Sequence, residues 1–337
     1  MNIIFFGTPD YVIPVLNKLH REFKSKTGES PVVAVVTQKP KPVGRKKQLE
    51  YSAVDQWAYK KGIKILRDLD IGEFPKAELG ILASYGEIIP DPVIGHFKFG
   101  ILNVHPSLLP EWRGSSPVQA SIISGVDETG VSIIKLDEKL DHGPIISQFK
   151  EGIQSDDTTE TLRKRLFERS AEVLVTLIPA YLEGKITPRP QDHTKATYTR
   201  ELRKADGFVP PKYLNSAFQG KSRKEKWEIS FMKNFTNHYS PITIHQYIRA
   251  MQPWPGAWTY VHLTKEPKNK RTEELNTKRL KIFRAHVEPI QAVGSKLPAT
   301  KLVSNAQCLV PDLVQLEGKS PVNWKQFQQG YPRLQFV

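Results

Sequence analysis

Asn103 and His105 stand two residues apart in the run Gly100-Ile101-Leu102-Asn103-Val104-His105-Pro106. The run is otherwise mostly apolar and reads as a buried strand. Side chains on a strand alternate faces, so the amide and the imidazole project to the same side. Pro106 cannot continue a central strand, which puts the pair at the strand's C-terminal end. Open α/β sheets bind their ligands at that edge. A carboxamide is a neutral hydrogen-bond donor, and an imidazole exchanges a proton near neutral pH. A lone histidine is nevertheless more often a structural side chain satisfied locally. Three further segments bring polar groups to loops at strand ends: Ser84-Tyr85-Gly86-Glu87-Ile88-Ile89-Pro90, Ser107-Leu108-Leu109-Pro110-Glu111-Trp112-Arg113-Gly114, and Asp137-Glu138-Lys139-Leu140-Asp141-His142-Gly143-Pro144. Each has a plain alternative, as a helix entry, a β–α connection or a turn.

The first half of the chain must position these groups, and its pattern alternates short apolar runs with helical periodicity, the mark of βαβ units and a parallel sheet. Strands are predicted at Ile3–Phe6, Val32–Val36, Lys64–Leu66, Leu79–Ala83, Gly100–His105, Val131–Leu136 and Pro144–Phe149. Helices are predicted at Tyr11–Glu22, Ser52–Lys61, Pro90–His96, Pro117–Ser124 and Thr159–Leu182, the last carrying Leu162, Leu166, Val173 and Leu177 on one face. Gly184 stops it, and the polar, proline-bearing stretch Ile186–Asp192 reads as a linker. Beyond Asp206 come short β-like runs, Trp258–Leu263, Leu280–Ala285 and Leu313–Leu316, separated by turn residues, so a small β-barrel is expected. The resulting division is an α/β, Rossmann-like domain over 1–186, a linker over 187–205 and a smaller OB-like barrel over 206–337. Lys221–Lys226 reads as a solvated charged loop.

The ordered combination Asn-x-His-x-Ser-Leu-Leu-Pro-x-x-Arg-Gly followed by Leu-Asp-x-Gly resembles the 10-formyltetrahydrofolate-dependent formyltransferases. Within that family, Trp112 to Gln119 (Trp-Arg-Gly-x-x-Pro-x-Gln) and the opening Phe-x-Gly-Thr-Pro look most like the methionyl-tRNA formyltransferase branch. The likeness spans nearly all of Met1 to Ala205 and resumes at Pro253-Trp254-Pro255 and Arg279-Leu280-Lys281-Ile282. It implies a catalytic set of Asn103, His105 and Asp141, and no metal. An amine attacking a formamide carbon builds a negative oxygen and a positive nitrogen. Asn103 offers an N–H to that oxygen, a contribution worth roughly 10²–10³ in rate. His105 moves the proton from the amine, worth about 10²–10⁴, and Asp141 orients the imidazole. Ser107, Leu108, Leu109 and Pro110, with Tyr85, Gly86 and Ile89, resemble the family's folate-lining segments, so 10-formyltetrahydrofolate is the implied co-substrate. Two departures stand out: His142 follows the catalytic Asp where the family usually has Thr, and Glu87 takes a commonly apolar place.

Charge bears on the acceptor. The chain holds 49 Lys+Arg against 35 Asp+Glu, and the excess is uneven: 29 − 26 = +3 through Ala205, 20 − 9 = +11 after it. Such a balance suits a polyanion. The segment Thr37–Gln48 carries Lys39, Lys41, Arg45, Lys46 and Lys47 and no acid, with Pro and Gly that argue against helix or strand; it reads as an exposed, mobile loop. In the family branch named above, a basic loop at this place enters the tRNA acceptor-stem region. Initiator methionyl-tRNA is then the implied partner, with Arg45 singled out. Pro210–Ser240 and Lys265–Thr277 look like insertions in the second domain. The single Cys308 excludes an internal disulfide. No apolar run approaches a membrane span, and the opening residues lack a signal-peptide pattern. A cytoplasmic monomer away from membranes is expected.

The rivals are weaker. A formyltransferase acting on a nucleotide-linked amino sugar needs no basic loop. A glycinamide ribonucleotide transformylase lacks so large a second domain. An NAD(P) oxidoreductase needs Gly-x-Gly-x-x-Gly where this chain has Gly7-Thr8-Pro9-Asp10. A non-catalytic RNA-binding module leaves the Asn103, His105 and Asp141 set unused.

Overall fold

Strand β1 (Ile3–Gly7) is buried at every residue, as the centre of a sheet flanked on both sides must be. The structure, a computed structural model, describes residues 1–25, 28–44, 47–264, 275–290, 307–332 and 334–337. It divides into two units. The first comprises 1–118, 127–153 and 161–199, and the second 119–126, 154–160 and 200–337.

In chain order the first half runs β1, α1 (Ile13–Glu22), β2 (Val32–Val36), β3 (Lys41–Val43), β4 (Gln48–Glu50), α2 (Ala53–Lys61), β5 (Lys64–Leu66), β6 (Leu79–Ala83), α3 (Asp91–Gly95), β7 (Ile101–His105), β8 (Arg113–Gly114), α4 (Pro117–Ser124), β9 (Glu128–Lys135), β10 (Ile145–Gly152), α5 (Thr159–Leu182) and β11 (Tyr198–Thr199). The main sheet has the order β10-β9-β7-β6-β1-β2-β5. Pairings from β5 through β7 are parallel, and β9 and β10 add antiparallel strands beside β7. This is the mostly parallel sheet expected. Helix α2 starts where Ser52 accepts the Asp55 N–H and stops at Gly62, which is left-handed. Phe6 anchors the core beside β6, with edge-on contacts to Tyr85 and Phe97.

The second unit continues with α6 (Pro211–Phe218), β12 (Arg223–Glu228), β13 (Thr236–Tyr239), α7 (Pro241–Ala250), β14 (Ala257–Thr264), β15 (Leu275–Pro289), β16 (Gln307–Leu316), β17 (Val322–Asn323), α8 (Trp324–Gly330) and β18 (Gln335–Phe336). Its five-stranded sheet, β17-β16-β15-β14-β18, is antiparallel throughout. Helices α6, α7 and α8 pack on it.

Two sequence expectations need correction. Lys221–Lys226 is not a loop: β12 runs through it and pairs with β13, because buried Trp227 pins the ribbon while the lysines face water. The same ribbon and α6 make up most of the Pro210–Ser240 stretch. Within the basic stretch after β2, Lys41–Val43 is not loop but β3, paired with β4 so that Pro42 lies opposite Leu49. A two-stranded ribbon consists only of edges, where proline is tolerated. Lys265–Thr277 falls largely outside the described residues.

Candidate active site

Asn103 and His105 lie at the end of β7, paired across to Ile134 and Ser132 of β9. Both are buried, as is Asp141 in the loop between β9 and β10. One carboxylate oxygen of Asp141, Oδ1, accepts from Asn103 Nδ2 at 3.2 Å and stands 3.4 Å from His105 Nδ1. The other, Oδ2, accepts from the Gly114 N–H at 2.8 Å. Three residues distant in sequence thus meet at one carboxylate. Asn103 has two amide N–H groups and uses one on Asp141, which leaves the second for a ligand. His105 Nε2 is 3.1 Å from the Trp112 carbonyl. A carbonyl only accepts, so Nε2 carries its hydrogen in this arrangement. A proton taken up at Nδ1 then faces a carboxylate.

The backbone around the site is bent to make these contacts. Asp141 and Trp112 both adopt left-handed conformations, φ 47° and 59°, a region that non-glycine residues enter at a cost of about 1–3 kcal/mol. Trp112 is held there by its N–H donating to Thr197 Oγ1 at 2.8 Å. Gly114 (φ 102°) sits where a Cβ would lie 2.0 Å from the Thr199 carbonyl, so only glycine lets β8 pair with β11.

The loop that delivers Asp141 also builds a cavity wall. An open cavity of about 470 Å³ is lined by Asp91, Ile94 and Gly95 from α3 and by Asp137, Glu138, Lys139 and His142 from the loop. That size is ordinary for a small-molecule site. Ile94 and Gly95 offer an apolar wall, and the carboxylates offer acceptors of the kind that suit the ring N–H and amino groups of a pterin. Sequence reasoning quoted the loop for Asp141 and His142 but gave neither it nor α3 a ligand-lining part.

The seven residues expected to line a folate site are not among those that line this cavity. Ser107 is buried, with its hydroxyl donating to the Glu111 carbonyl at 2.6 Å. Leu109 packs with Ile134 and Ile145, and its N–H donates to Ser132 Oγ. Leu108 lies over Gly130, and Pro110 follows a cis peptide bond. Tyr85 and Ile89 belong to the core around Phe6, and Gly86 is exposed with φ 88°. Burial, and then Glu87, pushes the Tyr85 phenol far above its ordinary range; the phenol donates to Glu87 at 3.3 Å. Glu87 therefore has a partner in the loop.

His142, the unusual neighbour of Asp141, has two contacts. Its Nδ1 is 2.6 Å from Asp137 Oδ2, and its ring stacks on His193 at 3.8 Å and 6°. Burial, His142 and Arg113 together hold His193 below the ordinary imidazole range. Of the basic residues between β2 and β4, Lys39 pairs with Asp68 at 2.6 Å, Lys41 reaches Gln38, and Lys47 is exposed. An exposed ion pair such as Lys39–Asp68 contributes little and yields readily to a stronger anion. Arg45 and Lys46 lie outside the described residues. No group of three or more metal-ligating side chains gathers among the described residues, and no helix among them is long and apolar enough to cross a membrane.

Two family models match the chain: "Formyl transferase" over residues 1–178 and "Formyl transferase, C-terminal domain" over residues 222–332. A methionyl-tRNA formyltransferase of Listeria monocytogenes is 33% identical over 339 aligned positions, covering 98% of this chain and 96% of the relative. Among solved structures, the methionyl-tRNA formyltransferase from Clostridium thermocellum superimposes with a TM-score of 0.51 at 18% identity, covering 94% of this chain and 98% of that one. An N-formyltransferase from Helicobacter canadensis, in complex with folinic acid and dTDP-3-aminofucose, gives 0.53 at 16% identity, covering 83% and 95%. The structural likenesses establish the fold, and the sequence match over both domains establishes descent: the chain belongs to the formyl transferase family.

Proposed function

We propose that this protein transfers the formyl group of 10-formyltetrahydrofolate to the α-amino group of methionine on initiator methionyl-tRNA. The observation that carries the reading is the Asp141 carboxylate, bonded to Asn103 and facing His105 at the rim of the sheet. Asn103 gives its free N–H to the oxygen that becomes negative when the amine attacks the formyl carbon. His105 accepts the proton that the attacking nitrogen must lose and returns it to the departing folate nitrogen. Asp141 holds the ring in place and balances the imidazolium. The C–N bond to the new amine forms as the C–N bond to folate breaks, so no oxidant or metal enters the balance.

The acceptor is assigned from charge and descent. The full-length relatives cited above carry the methionyl-tRNA name, and the residues after Ala205 hold an excess of +11, from 20 basic and 9 acidic residues. The domain over 1–186 then serves catalysis, 187–205 connects, and 206–337 grips phosphates together with Lys39, Lys41, Arg45, Lys46 and Lys47. Ser107, Leu108, Leu109 and Pro110 with Tyr85, Gly86 and Ile89 shape and support the folate side, whose open wall is α3 and the loop before Asp141. The working form is a cytoplasmic monomer.

The deciding experiment offers labelled formyl donor with two acceptors, charged initiator tRNA and a nucleotide-linked amino sugar. Formyl-methionine as the product upholds the reading. A formylated sugar with no formyl-methionine overturns the acceptor while leaving the chemistry standing.

A further inference from the structure

Gln191 sits in the polar stretch that reads as a linker, yet it is buried and all its polar capacity is directed at the active site. Its Nε2 donates to the carbonyls of Asp141 and Gly143, each at 2.8 Å. Its Oε1 accepts from Arg113 Nη2 at 2.7 Å. The amide orientation is forced, because a guanidinium cannot accept and a carbonyl cannot donate. The second N–H of Arg113 Nη2 goes to His193 Nδ1 at 2.8 Å. Arg113 is itself buried, and its neighbour Gly114 donates to the Asp141 carboxylate. A closed ring results, running from the Asp141 carboxylate to Gly114, Arg113, Gln191 and back to the Asp141 carbonyl. Asp141 is gripped by side chain and backbone at once, in a conformation that an L-residue rarely holds unaided (φ 47°).

We infer that Gln191, held by Arg113, is a positioning residue for the formyl-transfer site: it fixes the backbone of the Asp141 loop so that the carboxylate reaches both Asn103 and His105. The inference rests on the formyl-transfer reading but not on which acceptor is used. Gln191 does not touch the reacting atoms. Its effect passes through Asp141, and a displacement of about 1 Å at a reacting group costs on the order of 10² in rate. The stretch 191–193 is therefore part of the scaffold behind the Asp141 loop.

Gln191→Glu is the discriminating variant. The carboxylate keeps the contact with Arg113 but places acceptors against two carbonyls, so the Asp141 loop is released while the arginine stays paired. Gln191→Glu and Gln191→Ala should lower kcat about 10–100-fold with each KM within twofold. In an Asp141→Asn background Gln191→Ala should lower kcat by no further factor, since the group it positions is gone. An equal loss in both backgrounds overturns the inference. A second readout needs no acceptor: the ¹⁵N imidazole signals of His105 in Gln191→Glu should move toward those of Asp141→Asn. Unchanged signals in a folded variant also overturn it. Wild-type protein that fails to formylate methionyl-tRNA, with the His105 signals still responding to Gln191→Glu, would count against the acceptor alone.

Discussion

Replacing Asp141 by Asn keeps the shape of the side chain and removes its charge, which makes the outcome calculable from the contacts. The carboxylate accepts on both oxygens: the Asn103 amide on Oδ1, which also stands 3.4 Å from His105 Nδ1, and the Gly114 N–H on Oδ2. An asparagine has one acceptor and one donor. If its oxygen faces Asn103 and His105, its N–H₂ is driven against the Gly114 N–H, 2.8 Å from the present oxygen. If it flips, its N–H₂ meets the Asn103 amide instead. Either way one buried donor loses its partner, at a cost of about 1–3 kcal/mol in stability. The loss to catalysis is larger, because the imidazolium loses its counter-charge and the amide of Asn103 loses its anchor. A fall in kcat of about 10²–10⁴ is expected, with the tRNA KM little changed, since an orienting carboxylate acts on the reaction step rather than on binding. The assay is formyl transfer under saturating donor, with circular dichroism to verify the fold. A folded Asp141→Asn protein retaining a third or more of wild-type kcat would refute this reasoning.

Other consequences are as concrete. Gly114→Ala puts a Cβ 2.0 Å from the Thr199 carbonyl at a positive φ, so thermal melting should show a loss of roughly 3 kcal/mol or more, with activity lost alongside. Arg45→Ala should raise the tRNA KM about tenfold, leave kcat unchanged and reduce the salt slope of binding by about one; unaltered tRNA kinetics would remove Arg45 from the tRNA contact. His245 is pushed down to about 4, first by burial and then by Arg249. The unfolded chain takes up that proton below the ordinary value of 6.5 while the folded chain refuses it until about pH 4. Stability should thus be full above 6.5 and fall as the pH drops toward 4, by about 1–2 kcal/mol after allowing for partial solvent screening. His245→Gln should flatten that segment of a denaturation series taken against pH.

What the chain revealed in advance was whatever depends on local pattern. The apolar run ending in Pro106 placed Asn103 and His105 on one face at a sheet edge, and they are there. The helical period of Thr159–Leu182 gave α5 its limits. Long-range hydrogen bonds left no such trace. Gln191 lies in a stretch with proline on either side of Arg189, and nothing local says that its amide reaches two carbonyls some 50 residues away in sequence. The stacking of His142 on His193 is equally non-local. Charge misled twice. The lysines around Trp227 and on the β3–β4 hairpin suggested loops, whereas alternate residues on a narrow ribbon let one face be charged and still pair. The cavity beside Asp141 is shaped by where α3 meets the loop, a property of packing that periodicity does not encode.

The most direct measurement follows one labelled formyl group through single-turnover reactions of wild-type protein and the His105→Ala variant, with charged initiator tRNA as acceptor and tRNA binding measured alongside. Label on the methionine nitrogen with wild type, none above background with the variant, and matching tRNA affinities for both is the result expected. Equal transfer by the two proteins, or no labelled methionine with either, would contradict the role given to the cluster at the end of β7.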